Sequence, residues 1–269
     1  MFSEKKKLAD IGVFGGSGFY NFLDNIEEIV VETPYGHTSD KIMLGTIGKK
    51  RVAFLPRHGR NHSIVPHKIN YKANVWAMKS IGVSRVISPC AAGSLQKHVA
   101  PGDFVICDQF VNLTSGRPDT FYEGPIVTHV SPADPYCPEL RHIAVQSAKE
   151  NGINVHETGT ILVINGPRFS TKAESKFYTA QGWEVINMTQ YPEAYLVREL
   201  NMCPVNISLI TDYDAGLISG SEPVQHHEVL KVFNENNEKL RKLLFTMIEK
   251  MPETKNNCQC DKVLEQSRV

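Results

Sequence analysis

Short apolar, β-branched runs alternate with stretches of helical periodicity along most of this chain, and that alternation restricts the fold more than any other feature. The runs fall at 10–14, 28–32, 41–47, 51–55, 84–88, 103–107, 159–164, 184–188 and 205–211. Several are nearly continuous in apolar residues, the pattern of strands buried on both faces. The helical stretches fall at 69–80, 138–150, 171–181, 192–201 and 226–250. Thr171 and Glu174 have capping-box spacing, and Pro192 suits a first helical turn. Along the last helix Val229, Val232, Phe233, Leu240, Leu243, Leu244, Met247 and Ile248 recur at helical spacing, which marks a core or subunit-contact stripe. Together these elements predict a single-domain, three-layer α/β/α fold with a mixed central β-sheet over residues 1–251. Residues 252–269 lose the pattern and read as a loose tail.

At 269 residues the chain has room for a full core. Its 29 basic and 29 acidic side chains cancel, which argues against a nucleic-acid scaffold. No apolar run approaches the roughly 18 residues of a membrane helix. The N-terminal MFSEKKKLAD has no apolar core of a signal peptide. The expectation is a cytoplasmic enzyme with neither nucleic acid nor membrane as partner. The six cysteines are too sparse for a secreted disulfide scaffold. Cys258 and Cys260 form a C-x-C in the tail, with no second Cys or Cys/His pair near them in sequence. They read as a disulfide or redox pair, or as an incidental feature, and no metal set is expected.

Several strand ends carry candidate chemistry. Gly15-Gly16-Ser17-Gly18 follows the first run and presents backbone N–H groups to an anion, with Ser17 as a hydroxyl donor, or else makes a plain tight turn. It lacks the third glycine of a dinucleotide fingerprint and the Lys-Ser/Thr of a P-loop. Arg57-His58-Gly59-Arg60 offers a planar guanidinium suited to phosphate. His58, His62 and His67 also invite a metal reading, but no carboxylate or thiol stands among them. Cys90 opens into small residues that let a ligand approach the backbone; a nucleophilic role and inert packing are its alternatives. Phe169 is placed either to stack on a flat ring or to pack in the core. Thr189 precedes a helix N-terminus, where an anion is welcome, and Glu193 in that first turn complements the helix dipole. Asp212 and Asp214 end an apolar run and read as a metal site, less favoured because few other acids cluster there, as a general acid whose carboxyl pKa burial raises, or as a plain loop closure.

Taken together, IGVFGGSG, TPYGHTSD, RHGRNHSIVPHKINYKANVWA, GDFVICDQF, GPRFSTKAES, NMT-x-x-PEAYL and TDYD resemble the trimeric purine nucleoside phosphorylase superfamily, and within it the 5′-methylthioadenosine phosphorylases. The resemblance spans about residues 8–250. It implies the nucleoside phosphorylase fold and a reaction in which purine nucleoside and inorganic phosphate give free purine and a pentose 1-phosphate. No cofactor is implied, and phosphate is a co-substrate. It assigns phosphate contacts to Ser17, Arg57, His58, Thr189 and the Cys90-Ala91 pair. Cys90 stands where a hydroxyl is usual, which leaves the Ala91 N–H as the donor there.

For the nucleoside, the resemblance implies contacts from Phe169, Ile186, Asn187, Met188, Asp212, Asp214 and Val229, with Asp212 as the proton donor to the leaving purine. Ser170 and His226 are the implied specificity positions. His129 resembles a histidine lent by a neighbouring subunit, so a homotrimer or homohexamer is implied. Asp212 stands where enzymes of 6-oxopurines tend to carry Asn, which points to adenine. His226 resembles instead the histidine that binds a 5′-hydroxyl. The expected activity is therefore methylthioadenosine phosphorolysis with relaxed 5′ specificity, the alternative being a broad or 6-oxopurine nucleoside phosphorylase. Some archaeal relatives from hot environments carry a tail C-x-C and internal disulfides. By that resemblance Cys137 and Cys203 are a candidate bridged pair, and Cys258 and Cys260 another.

Overall fold

The structure, a computed structural model, describes residues 7–15, 24–215 and 226–267. Among these residues eleven strands form one mixed sheet. β1 (Ile11–Gly15) lies parallel between β4 (Lys50–Pro56) and β5 (Arg85–Ser94). On the β4 side, β3 (Ile42–Ile47) and β2 (Asp24–Ile29) continue the sheet antiparallel. β10 (Val185–Asn187) pairs antiparallel with the far end of β5, and β9 (Thr160–Ile164) and β7 (Gln109–Leu113) follow it in parallel. β11 (Cys203–Tyr213) runs parallel to β5 along its whole length. It also carries β6 (Phe104–Val105), which in turn pairs β8 (Val155–His156).

Alternation along β4 shows how the layers form, because successive strand side chains face opposite ways. Val52 and Phe54 pack with Leu243, Met247 and Ile248 of α5 (His226–Lys250) and with Leu140 and Ala144 of α2 (Pro138–Glu150). Ala53 and Leu55 face the other way, onto Val75 and Met78 of α1 (Tyr71–Ser80) and onto Leu196 and Val197 of α4 (Gln190–Glu199). The three expected layers are present, and the apolar stripe of α5 is core. Each fully buried leucine such as Leu243 contributes about 2 kcal/mol. The expected capping box opens α3 (Lys172–Ala180): Thr171 Oγ1 accepts from the Glu174 N–H at 3.2 Å, and Glu174 Oε2 accepts from the Thr171 N–H at 2.8 Å.

The strand boundaries differ from expectation where sequence signals are weak. β2 starts at Asp24 rather than at 28, and the short β7 and β8 were not expected. β5 runs on to Ser94, past the expected end at 88. Its second half, Pro89 to Ser94, has low β propensity, yet it pairs with β11 throughout. Pro89 is tolerated because β1 has already left at Ile87 and β10 joins only at Gly93. The stretch between them therefore has β11 on one side and an opening on the other.

The expected loose tail is in fact packed. Cys260 and Ser267 are buried. The Pro252 carbonyl accepts from Arg85 Nη2 at 2.8 Å, and the Ser267 carbonyl accepts from the His129 N–H at 2.7 Å. These anchors are polar and made across the fold, so no hydrophobic period in the tail announces them.

Candidate active site

The opening beside β5 is the floor of a cavity of about 560 Å³. It lies past the carboxyl ends of β1 and β4 and beside the second half of β5, the kind of crevice in which ligands sit in such sheets. The lining brings together Arg57, His58, Cys90, Ala91 and Thr189 with Phe169, Ser170, Ile186, Asn187, Met188, Asp212, Asp214 and Val229. Ser17 lies outside the described residues, as does the side chain of His226. His129 is exposed on the surface and is not part of this lining.

Arg57 follows β4 and is 2% exposed. Its Nε and Nη2 donate to the two carboxylate oxygens of Glu193, each at 2.8 Å. Nη2 also donates to the Phe14 carbonyl at 2.7 Å, and Nη1 to the Pro89 carbonyl at 2.9 Å. Of the five guanidinium N–H groups, these bonds leave one on Nη1 for a ligand among the described residues. Glu193 is thus more than a dipole complement in the first turn of α4. It orients and neutralises a buried cation, which sequence spacing had not shown because 136 positions separate the two.

His58 Nδ1 donates to the Ile64 carbonyl at 2.9 Å, and the ring stacks on His62 with centroids 4.5 Å apart. Burial, and then the charge of Arg57, push its pKa down to about 4. The ring is therefore neutral at pH 7, and with Nδ1 protonated its Nε2 is an acceptor. It becomes a donor when an anion draws a proton onto it. The unfolded chain protonates near 6.5 and the folded chain only near 4, so stability falls as pH drops through that window. Urea unfolding at pH 7.5 and pH 5 is expected to show about 2 kcal/mol more loss in the wild type than in His58→Gln. Equal losses in the two proteins would remove His58 from the account.

Cys90 is bonded within the protein. Its Sγ accepts from Asn187 Nδ2 and Asn206 Nδ2, each at 3.3 Å, and lies 3.5 Å from Ser208 Oγ. No histidine is among these partners, so a nucleophile activated by an adjacent base does not form. Asn206 and Ser208, buried on β11, had drawn no attention because they alternate with apolar residues. Thr189 is the residue before α4 and lines the cavity, and Tyr191 is non-helical, so the regular part of that helix starts beyond it. The histidines fail as a metal set: among the described residues, the group that gathers three or more ligand side chains is a set of cysteines elsewhere.

At the other end of the cavity, β11 is irregular between Ile210 and Asp212, a bulge that re-aims the strand. Asp212 then stands opposite Gly93. Thr211 Oγ1 donates to Asp212 Oδ2 at 2.8 Å. Burial outweighs that bond, and with the nearby Asp214 charge it raises the Asp212 pKa to about 6. Burial also raises Asp214, whose carboxyl the Ser170 and Ser175 hydroxyls approach without closing a hydrogen bond. A Cβ on Gly93 would sit 3.0 Å from Asp212 Oδ1 and 3.1 Å from Ile186 Cγ2. Gly93→Ala is expected to turn the Asp212 carboxyl and cut turnover about tenfold with only about 1 kcal/mol lost in stability; unchanged kcat would show that the carboxyl has room to move.

The cavity of this α/β fold brings a buried arginine at one end and a protonatable acid at the other into one lining. The model of the Phosphorylase superfamily matches residues 10–249. The S-methyl-5′-thioadenosine phosphorylase of Thermofilum pendens is 49% identical over 96% of this chain and 98% of its own. The purine nucleoside phosphorylase of Streptomyces coelicolor is 48% identical over 96% of this chain and 95% of its own. A solved methylthioadenosine phosphorylase from an antarctic soil metagenomic library superposes with a TM-score of 0.92 at 36% identity, over 98% of this chain and 93% of that one. One from Schistosoma mansoni in complex with adenine gives 0.91 at 34% identity, over 97% and 99%. This chain belongs to the phosphorylase superfamily, whose nucleoside phosphorylase fold it has.

Proposed function

We propose that the protein is an S-methyl-5′-thioadenosine phosphorylase, cleaving the N-glycosidic bond with inorganic phosphate to give adenine and 5-methylthioribose 1-phosphate. The observation that carries this reading is the composition of one cavity: the Arg57 and Thr189 anion end, the Asp212 acid end and an apolar flank from α5. Arg57, Thr189, the Ala91 N–H and His58 hold phosphate below the sugar, with Ser17 as a further donor. As the bond to the purine breaks, positive charge grows on the sugar and the phosphate dianion stabilises it before closing on C1′. Asp212, whose proton affinity burial raises, delivers its proton to N7 of the departing base. Phe169 stacks on the base, with Ile186 and Asn187 beside it, and Met188 lies along the ribose. Val229, Leu230 and Phe233 offer an apolar seat that suits a methylthio group better than a hydroxyl.

The reaction takes no cofactor; phosphate is the co-substrate. His129, on the surface, serves the cavity of a neighbouring subunit in a homotrimer or a dimer of trimers. Among the described residues no helix is long and apolar enough to cross a membrane, and the cytoplasm is the proposed compartment. The test is purine release from methylthioadenosine, adenosine and inosine, each with and without phosphate. A phosphate-dependent preference for methylthioadenosine is expected. Equal or better turnover of inosine would move the reading to a broad purine nucleoside phosphorylase, which the histidine at 226 and the Streptomyces relative favour. Release without phosphate would make it a hydrolase.

A further inference from the structure

Four of the six cysteines meet at one point from three distant parts of the chain. Cys137 precedes α2, Cys203 opens β11, and Cys258 and Cys260 come from the folded-back tail. Their four Sγ atoms all lie within 4.8 Å of one another, and the Cys203 and Cys258 sulfurs are 3.6 Å apart. All four are free thiols in the structure. Cys137, Cys203 and Cys260 are buried and Cys258 is partly exposed.

The surroundings hold this arrangement in place. The Cys137 N–H donates to the Pro204 carbonyl at 2.8 Å, which fixes the first two cysteines side by side. Glu139, in the first turn of α2, accepts from the Asn256 and Asn257 N–H groups at 3.2 and 3.3 Å and so presents the C-x-C to them. We propose that Cys137, Cys203, Cys258 and Cys260 form a structural tetrathiolate site for Zn²⁺.

Zinc binds thiolates at about 2.3 Å, so the edges of its sulfur tetrahedron are about 3.8 Å. The cluster is close to that figure already. Two disulfides would need two pairs drawn in to about 2.05 Å. Binding displaces four thiol protons to solvent and leaves a doubly negative site. Oxygen-binding cations are excluded by the all-sulfur donor set. The site is closed, with four protein ligands, and Cys203 and Asp212 stand about 30 Å apart along β11. Its role is therefore to pin the tail to α2 and β11, not to take part in the reaction.

The experiment uses the full chain, reduced and then freed of reductant, with Zn²⁺ as the probe. One zinc per chain is expected, with a Kd of about 50 nM or tighter in competition with a chromophoric chelator. Six thiols should titrate once the protein is unfolded with chelator present. Co²⁺ in place of zinc should show the intense visible bands of a tetrahedral thiolate site. Cys258→Ser with Cys260→Ser should abolish both metal and bands, and lower Tm while leaving kcat intact. If that variant does not fold, the wild-type competition and thiol count still decide. Two or four thiols in the unfolded protein as purified without reductant, matching disulfides, would overturn the proposal. So would six thiols with no zinc taken up at micromolar concentration.

Discussion

Asp212→Asn is expected to lower kcat/KM for adenine nucleosides about 10²–10⁴-fold, the usual weight of a general acid. The amide is nearly isosteric, and Thr211 Oγ1 can still donate to its oxygen, so fold and phosphate KM should hold. What is lost is a removable proton at a carboxyl whose pKa burial has raised to about 6. The pH profile separates this role from a purely structural one. In the free wild-type enzyme the protonated fraction falls as pH rises through about 6, so kcat/KM should decline on the alkaline side of that value. The limb should be absent from the variant. Asn donates where a carboxylate accepts, so the residual activity should also tilt toward 6-oxopurine nucleosides. An unchanged rate on methylthioadenosine, or an alkaline limb that persists in the variant, would remove Asp212 as the proton donor.

Much of this site was visible in the sequence because its residues follow the ends of apolar runs, even where, as at Cys90 and Asp212, the strand itself continues. A strand end is marked by its apolar run, and the polar residue just after it is exposed to the same crevice as its counterparts on neighbouring strands. Arg57, Cys90, Thr189 and Asp212 were found in that way. The layers were legible for a similar reason: β4 and α5 carry clear periods, and α2 and α5 begin and end where their patterns do. What was not legible depends on distance in the chain. Glu193 reads as a dipole complement until Arg57 is seen against it. Asn206 and Ser208 are hidden in an apolar strand, yet they hold the Cys90 sulfur. Pro89 to Ser94 lacks strand residues but is forced into one by β11. The four cysteines look like two unrelated pairs because the tail's return path is fixed by Glu139 and Arg85, which no local pattern connects to it.

The pairing of Glu193 with Arg57 makes the second large prediction. Both side chains are buried, at 1% and 2% exposure, so removing one partner strands a charge that water cannot reach. Glu193→Ala is expected to cost about 3–5 kcal/mol of stability, read as the urea midpoint at constant slope. A buried pair is weak evidence for stability as such, because two well-packed apolar residues often do as well. The joint change Arg57→Met with Glu193→Met should therefore recover most of the loss. The two variants separate positioning from folding. In Glu193→Gln one hydrogen bond to the guanidinium persists but its charge is no longer balanced and its fork is held on one side only. Phosphate KM should rise about tenfold, roughly 1.4 kcal/mol, while nucleoside KM stays near its wild-type value. The double methionine variant should be folded and inert toward phosphate. If it were stable and still phosphorolytic, the anion would be held by Thr189 and the Ala91 N–H alone, and the pair would serve only to close the gap that β1 and β10 leave beside β5.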